Sequence, residues 1–66
     1  MTYSEKIKTA RENLLMTQED IAAELGVTPI TVCRWETGKT EPSIKAKKAF
    51  RDLCERNGID FKDNNG

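Results

Sequence analysis

Residues 17–38 read TQEDIAAELGVTPITVCRWETG, and this stretch predicts two short helices joined by a tight turn. Thr17 offers a side-chain oxygen for an N-cap, and Asp20 stands three residues later, close to the capping-box pattern. A helix is therefore expected to begin at about Gln18. Gly26 then supplies the left-handed position at which helices commonly end.

A second helix is predicted immediately after this turn. Thr28 repeats the N-cap role, and Pro29 occupies the first helical position, where the missing N–H costs nothing because that donor has no partner within the helix. Thr37-Gly38 ends the helix by the same rule as Gly26. The second helix is therefore expected to cover residues 29–37.

The two sides of this second helix differ in chemistry. At about 100° per residue, Val32, Trp35 and Glu36 fall on one side, which is predicted to join a core. The opposite side, predicted to be free, carries Pro29, Ile30, Cys33, Arg34 and Thr37. An arginine can bind guanine O6 and N7 bidentately, and a β-branched apolar side chain suits a thymine methyl group. The free side is therefore predicted to read base edges of duplex DNA.

Over about residues 5 to 57, the chain resembles the Cro and phage-repressor type helix-turn-helix family, also called the XRE regulators. The matching residues are Arg11, Gln18, Ile21-Ala22, Leu25-Gly26-Val27-Thr28, Val32, Trp35, Glu36 and Gly38. The resemblance implies an all-α, four-helix domain of the lambda-repressor-like type. It also implies an ion pair between Arg11 and Glu36. This pair would join the helix before residue 17, helix 1 of the domain, to the helix over residues 29–37, which is helix 3.

Two positions depart from the family pattern. Leu15 stands where many relatives have glycine at the end of helix 1, so the turn there is expected to differ. Pro29 and Ile30 replace polar residues that some relatives use to read bases.

The flanking segments predict helices 1 and 4 of this domain, which covers residues 1–58. Helix 1, capped by Thr2 or Ser4, turns one apolar face inward, formed by Tyr3, Ile7, Ala10 and Leu14. Helix 4 follows Pro42-Ser43 and ends at Asn57-Gly58. Its inward stripe is Ala46, Ala49, Phe50, Leu53 and Cys54. The four helices are expected to pack around Trp35 and Phe50.

Residues 59–66, IDFKDNNG, form a predicted C-terminal tail. Ile59 and Phe61 alternate with polar residues, which suggests a short extended segment that either covers the core or pairs with another copy. Proteins that this chain resembles often continue beyond such a segment, so the chain is interpreted as a portion of a longer one.

Length and composition argue against an enzyme. The chain has 66 residues and no histidine, which removes the usual general base and most zinc sites. Cys33 and Cys54 are too far apart for a Cys-x-x-Cys pair, and no glycine-rich phosphate loop is present. We expect no catalytic residues, no metal and no cofactor.

The sequence predicts a cytoplasmic protein with no membrane association. Residues 1–6 are polar and charged, and no apolar run exceeds three residues, which is unlike a signal peptide or a membrane span. Cys33 and Cys54 are expected to remain free thiols in a reducing compartment.

The charge is balanced overall but uneven along the chain. Eleven basic residues match eleven acidic ones, whereas a DNA-binding domain is typically basic. Residues 28–48 nevertheless hold five basic residues against two acidic ones. A focused basic patch beside the second helix is therefore expected to support specific binding, with weak non-specific affinity.

These observations predict a sequence-specific DNA-binding transcriptional regulator. The predicted DNA contacts are Gln18, Thr28, Pro29, Ile30, Thr31, Arg34, Lys39 and Thr40. The resemblance implies that Gln18 holds a backbone phosphate, although it is also simply a good helix former. Two copies on half-sites about 34 Å apart are expected, because one small domain offers few contacts.

An antitoxin-like protein-interaction module is the alternative function. In that case Ile30, or the tail residues Ile59 and Phe61, would contact a protein partner.

Overall fold

Side-chain caps determine where the four helices of the computed structural model begin, and the structure describes residues 2–61. The helices are α1 (Tyr3–Asn13), α2 (Gln18–Leu25), α3 (Pro29–Glu36) and α4 (Ile44–Arg56). The N-cap residues Thr2, Thr17, Thr28 and Ser43 each accept a hydrogen bond from the backbone N–H three residues later. Residues 2–61 contain no strand, and the predicted all-α four-helix fold is confirmed.

The capping box at the start of α2 is complete although its acidic residue is an aspartate. The Asp20 N–H donates to Thr17 Oγ1 at 3.0 Å, and the Thr17 N–H donates to Asp20 Oδ2 at 3.0 Å. Thr2, not Ser4, caps α1, and Glu5 completes a second capping box there. The hydrogen bond from the Thr2 backbone N–H keeps the pKa of Glu5 below its usual range.

All four helices end in the same backbone arrangement, including α1. After α2, Gly26 takes a left-handed φ of 71°, and the Val27 N–H donates to the Ala22 carbonyl at 2.9 Å. After α1, Leu15 has a φ of 56°, and the Met16 N–H donates to the Arg11 carbonyl at 2.9 Å. The expectation of a different turn at Leu15 is therefore wrong. The hydrogen bonds of the Schellman motif hold a non-glycine residue in the left-handed region.

Leu15→Gly is expected to raise the free energy of unfolding by about 1 kcal/mol, since a left-handed backbone strains any residue with a Cβ. Leu15 is 91% exposed, so little packing is lost with its side chain. Urea unfolding would measure the gain. The matched control is Leu15→Ala, which keeps the strain and should change stability by less than about 0.5 kcal/mol. Equal effects of the two variants would contradict this account.

One apolar core joins all four helices. Ile7 and Ala10 of α1 are fully buried, whereas Tyr3 and Leu14 at the ends of the same face are only partly buried. Trp35 and Phe50, the predicted centre, are each 4% exposed. The remaining buried apolar residues are Ile21, Ala22, Leu25, Val32, Ala46, Leu53 and Cys54. The predicted inward stripes of α1 and α4 are therefore confirmed, except that Tyr3, Leu14 and Ala49 are only partly buried.

The described part of the tail packs against the core. Ile59 and Phe61 are partly buried, and the Phe61 ring stacks on Phe50 with ring centroids 6.2 Å apart. Of the two predicted roles for the tail, residues 59–61 take the covering one, and they form no strand. Residues 62–66 of the predicted tail lie outside the described part of the chain.

Candidate nucleic-acid interface

The two sides of α3 have opposite environments, as predicted. Val32 and Trp35 are buried, and the Glu36 side chain is 7% exposed. The exposed residues of α3 and its C-cap are Pro29, Ile30, Cys33, Arg34 and Thr37. The candidate base-reading face therefore points to solvent, and no other part of residues 2–61 covers it.

Hydrogen bonds within α3 leave some of these groups more available than others. The Thr37 hydroxyl donates to the carbonyls of Cys33 and Arg34, at 3.0 and 3.2 Å. The hydroxyls of Thr28 and Thr31 bond to each other at 2.9 Å. Arg34, by contrast, extends its exposed guanidinium from the helix. The threonine hydroxyls thus stabilise the ends of α3, and Arg34 is the group best placed to reach outward.

A bidentate ion pair holds the inner side of α3 against α1. Arg11 Nε donates to Glu36 Oε2 at 2.8 Å, and Arg11 Nη2 donates to Glu36 Oε1 at 3.1 Å. This is the pair implied by the family resemblance, and the structure confirms it. The hydrogen bonds that Arg11 donates to Glu36 raise the pKa of Arg11 above its usual value. The side chains are 18% and 7% exposed, so water screens the pair only in part.

Two further hydrogen bonds extend this network. Arg11 Nη1 donates to the Met16 carbonyl at 3.2 Å, which ties the turn between α1 and α2 to the ion pair. Ser4 Oγ donates to the Glu36 carbonyl at 2.6 Å, which satisfies a backbone acceptor at the end of α3. The orientation of α3 is therefore fixed by Ser4 and Arg11 of α1, and the turn after α1 in turn holds Arg11.

Gln18 joins the same network, which the sequence did not indicate. Its Nε2 donates to Glu36 Oε1 at 3.2 Å, and its side chain is half-buried. A side-chain amide has two N–H donors and a carbonyl acceptor, so one donor is left for another group. The phosphate contact of Gln18 stays a prediction, but its side chain also links the first turn of α2 to α3.

The predicted phosphate contacts after α3 lie in an exposed turn. Lys39 and Thr40 are both exposed, and the Lys39 N–H donates to the Arg34 carbonyl at 2.9 Å. This bond places Lys39 next to the end of the candidate base-reading face. Not all the basic residues of 28–48 lie beside this turn, however. The Lys47 Nζ lies 4.7 Å from the centroid of the Tyr3 ring, at the start of α1.

The two cysteines have different environments. Cys33 is exposed on the outward side of α3, whereas Cys54 is buried in the core, and both are free thiols. Burial raises the pKa of the Cys54 thiol. Within residues 2–61, no three acidic or cysteine side chains are grouped so as to hold a metal ion. None of the four described helices has the length and apolarity needed to cross a membrane.

Comparison with known proteins identifies this arrangement. The helix-turn-helix family model HTH_3 matches residues 7–46, which include most of α1, all of α2 and α3 and the start of α4. The chain therefore belongs to the XRE-type helix-turn-helix family. The match includes the ion pair and the exposed side of α3.

Two curated relatives share this segment. The chain is 38% identical over 45 residues to the HTH-type transcriptional regulator DicA of Escherichia coli (strain K12), an alignment covering 68% of this chain and 33% of DicA. It is 32% identical over 50 residues to the HTH-type transcriptional activator BcrR of Enterococcus faecalis, covering 76% of this chain and 24% of BcrR. The chain thus spans about a third or less of these relatives. No solved structure matches it significantly.

Proposed function

We propose that the chain is a sequence-specific DNA-binding transcriptional regulator that inserts α3 into the major groove. The observation that carries this proposal is the difference between the two sides of α3. The ion pair between Arg11 and Glu36 holds the inner side against α1, while the residues of the outer side are exposed. A rigidly held helix with a free face suits the geometry of groove readers. Membership of the helix-turn-helix family and the names of both relatives support the same role, which is not an enzymatic one.

Each predicted contact has a role in this proposal. Arg34 binds a guanine edge, and Ile30, which is 65% exposed, packs on a thymine methyl group. The first residues of α3, Thr28, Pro29 and Thr31, approach the bases or the adjoining backbone. The phosphate contacts that set the register are Gln18, Lys39 and Thr40.

The regulator is proposed to act as a homodimer on a palindromic site. A single recognition helix with one outward arginine offers few base contacts, whereas specific protein–DNA interfaces commonly bury about 1,000–2,500 Å². Two copies one helical turn apart would double the contact surface. Both curated relatives come from bacteria, whose DNA lies in the cytoplasm, and a cytoplasmic location is proposed for this protein as well.

The alternative function is a protein-interaction module, and the exposure of Ile30 is the observation that favours it. Salt dependence separates the two functions. Fluorescence anisotropy with a labelled duplex should give a plot of log affinity against log salt that falls by about 0.9 per phosphate contacted. A flat plot, or no binding of any duplex at low salt, would contradict the DNA-binding proposal, because contacts with DNA phosphates must weaken as salt rises.

Lys39→Ala is expected to weaken binding to every duplex by a similar factor and to reduce the salt slope by about 1, since a phosphate contact carries no base information. The same anisotropy measurement on specific and unrelated duplexes tests it. Arg51→Ala is the matched control, because Arg51 is an exposed cation of α4 outside the predicted DNA contacts. An unchanged slope in Lys39→Ala would remove Lys39 from the interface.

A further inference from the structure

A groove lies between the start of α1, the outer side of α4 and residues 59–61. Its volume is about 440 Å³, within the range of about 300–1,000 Å³ typical of ligand sites. Three aromatic rings form its floor. Tyr3 meets Phe50 edge to face with centroids 6.3 Å apart, and Phe61 stacks on the same Phe50 at 6.2 Å. The groove thus has an apolar floor of adjoining rings.

The rim of this groove is basic. Lys47, Lys48 and Arg51 line it, and none of the three forms an ion pair with another residue of the described chain. With Lys6, these cations outnumber the two lining carboxylates, Glu55 and Asp60. Lys47, Lys48 and Arg51, which form no ion pair within residues 2–61, favour an anionic ligand, and the aromatic rings favour one that also carries an apolar group.

The groove is separate from the candidate DNA-binding face. None of its lining residues belongs to α2 or α3, and none is among the predicted DNA contacts. Ile44, at one end of the groove, is 73% exposed and continues the apolar surface along α4. A ligand in the groove would therefore leave α3 free to engage DNA.

We propose that this groove binds an acidic peptide segment of a protein partner. An aromatic or aliphatic side chain of the segment would pack on the partly exposed rings of Tyr3 and Phe61, and its carboxylates would pair with Lys47, Lys48 and Arg51. The groove is open along its rim, where Lys48 and Arg51 are exposed. Sites for small ligands usually bury about 70–90% of the ligand. An extended segment fits an open groove better, since it can also cover Ile44.

Selection of random peptides displayed on phage, with the whole chain as the immobilised target, tests this proposal without DNA. Enriched peptides are expected to place aspartate or glutamate beside an aromatic or large aliphatic residue. Labelled copies of them would then be measured by fluorescence anisotropy. Charge reversal at the rim, Lys48→Glu with Arg51→Glu, should weaken binding on the order of tenfold or more. Ile44→Asp should weaken it as well.

The matched control is Lys45→Glu, which reverses a charge on the same helix at an exposed position that does not line the groove. It should leave peptide affinity within about twofold of wild type, as expected for a rim charge outside the contact. The proposal is overturned if no peptide class is enriched, or if Lys45→Glu and Lys48→Glu weaken binding equally. It is also overturned if a duplex displaces the peptides, because the groove would then contact DNA phosphates.

Discussion

Glu36→Ala is expected to lower the free energy of unfolding by about 2–4 kcal/mol, the largest effect of any change considered for this protein. The substitution removes the acceptor for Arg11 Nε, Arg11 Nη2 and Gln18 Nε2 together. It leaves a mostly buried guanidinium without its partner. Domains of this size have a total stability of about 3–10 kcal/mol, so a large share of the variant is expected to be unfolded at elevated temperature.

Urea unfolding followed by circular dichroism would measure this loss. The matched control is Glu24→Ala, which breaks the exposed pair between Arg56 and Glu24, whose charged atoms are 3.6 Å apart. That change should cost less than about 1 kcal/mol. Replacing both Arg11 and Glu36 with methionine should recover part of the loss, because no unpaired charge then remains buried. Equal losses for Glu36→Ala and Glu24→Ala would contradict the structural role of the ion pair.

Arg34→Ala is expected to cost about 1–3 kcal/mol of binding free energy on the preferred duplex, a loss of roughly 5- to 150-fold in affinity. The loss should be concentrated at one base pair, because a bidentate arginine discriminates guanine from other bases. Stability should change by less than about 0.5 kcal/mol, since Arg34 is exposed and its side chain is not part of the core.

A panel of duplexes, each with one base pair changed, would locate the effect. The wild-type chain should lose affinity on the duplex altered at the guanine, and Arg34→Ala should bind that duplex and the original equally. Arg51→Ala is the control, since Arg51 lies on α4 outside the candidate face. A uniform loss over the whole panel would place Arg34 on phosphates and not on bases.

The local features of the fold could be predicted because they depend on residues a few positions apart. The capping box of Thr17 and Asp20 and the glycine end of α2 use groups within one helical turn of each other, and both occur as predicted. The inward and outward sides of α3 follow from helical periodicity alone. Val32 and Trp35 are buried for that reason.

Contacts between distant residues were harder to anticipate. Arg11 and Glu36 are 25 positions apart, and only the family resemblance connected them. Nothing in the sequence indicated that Gln18 would join the pair, because a glutamine at the start of a helix has many possible partners.

Two further features of the structure were not predicted from the sequence. They are the left-handed turn at Leu15 and the groove between α1 and α4. Leu15 takes a conformation that its side chain disfavours, because the local hydrogen bonds at the end of α1 outweigh the strain at its Cβ. The groove is formed by α1, α4 and the tail, and Tyr3, Phe50 and Phe61 meet only after these have packed. The groove therefore depends on tertiary contacts that no short stretch of sequence contains.

Selection of bound sequences from a random pool of duplexes tests most directly whether the outward side of α3 reads bases. The wild-type chain is expected to enrich a palindromic consensus whose half-sites are about 34 Å apart, one helical turn of DNA. Arg34→Ala should lose one conserved guanine from each half-site. If the wild-type chain enriches no sequence, or if Arg34→Ala returns an unchanged consensus, the proposed reading of DNA by α3 is contradicted.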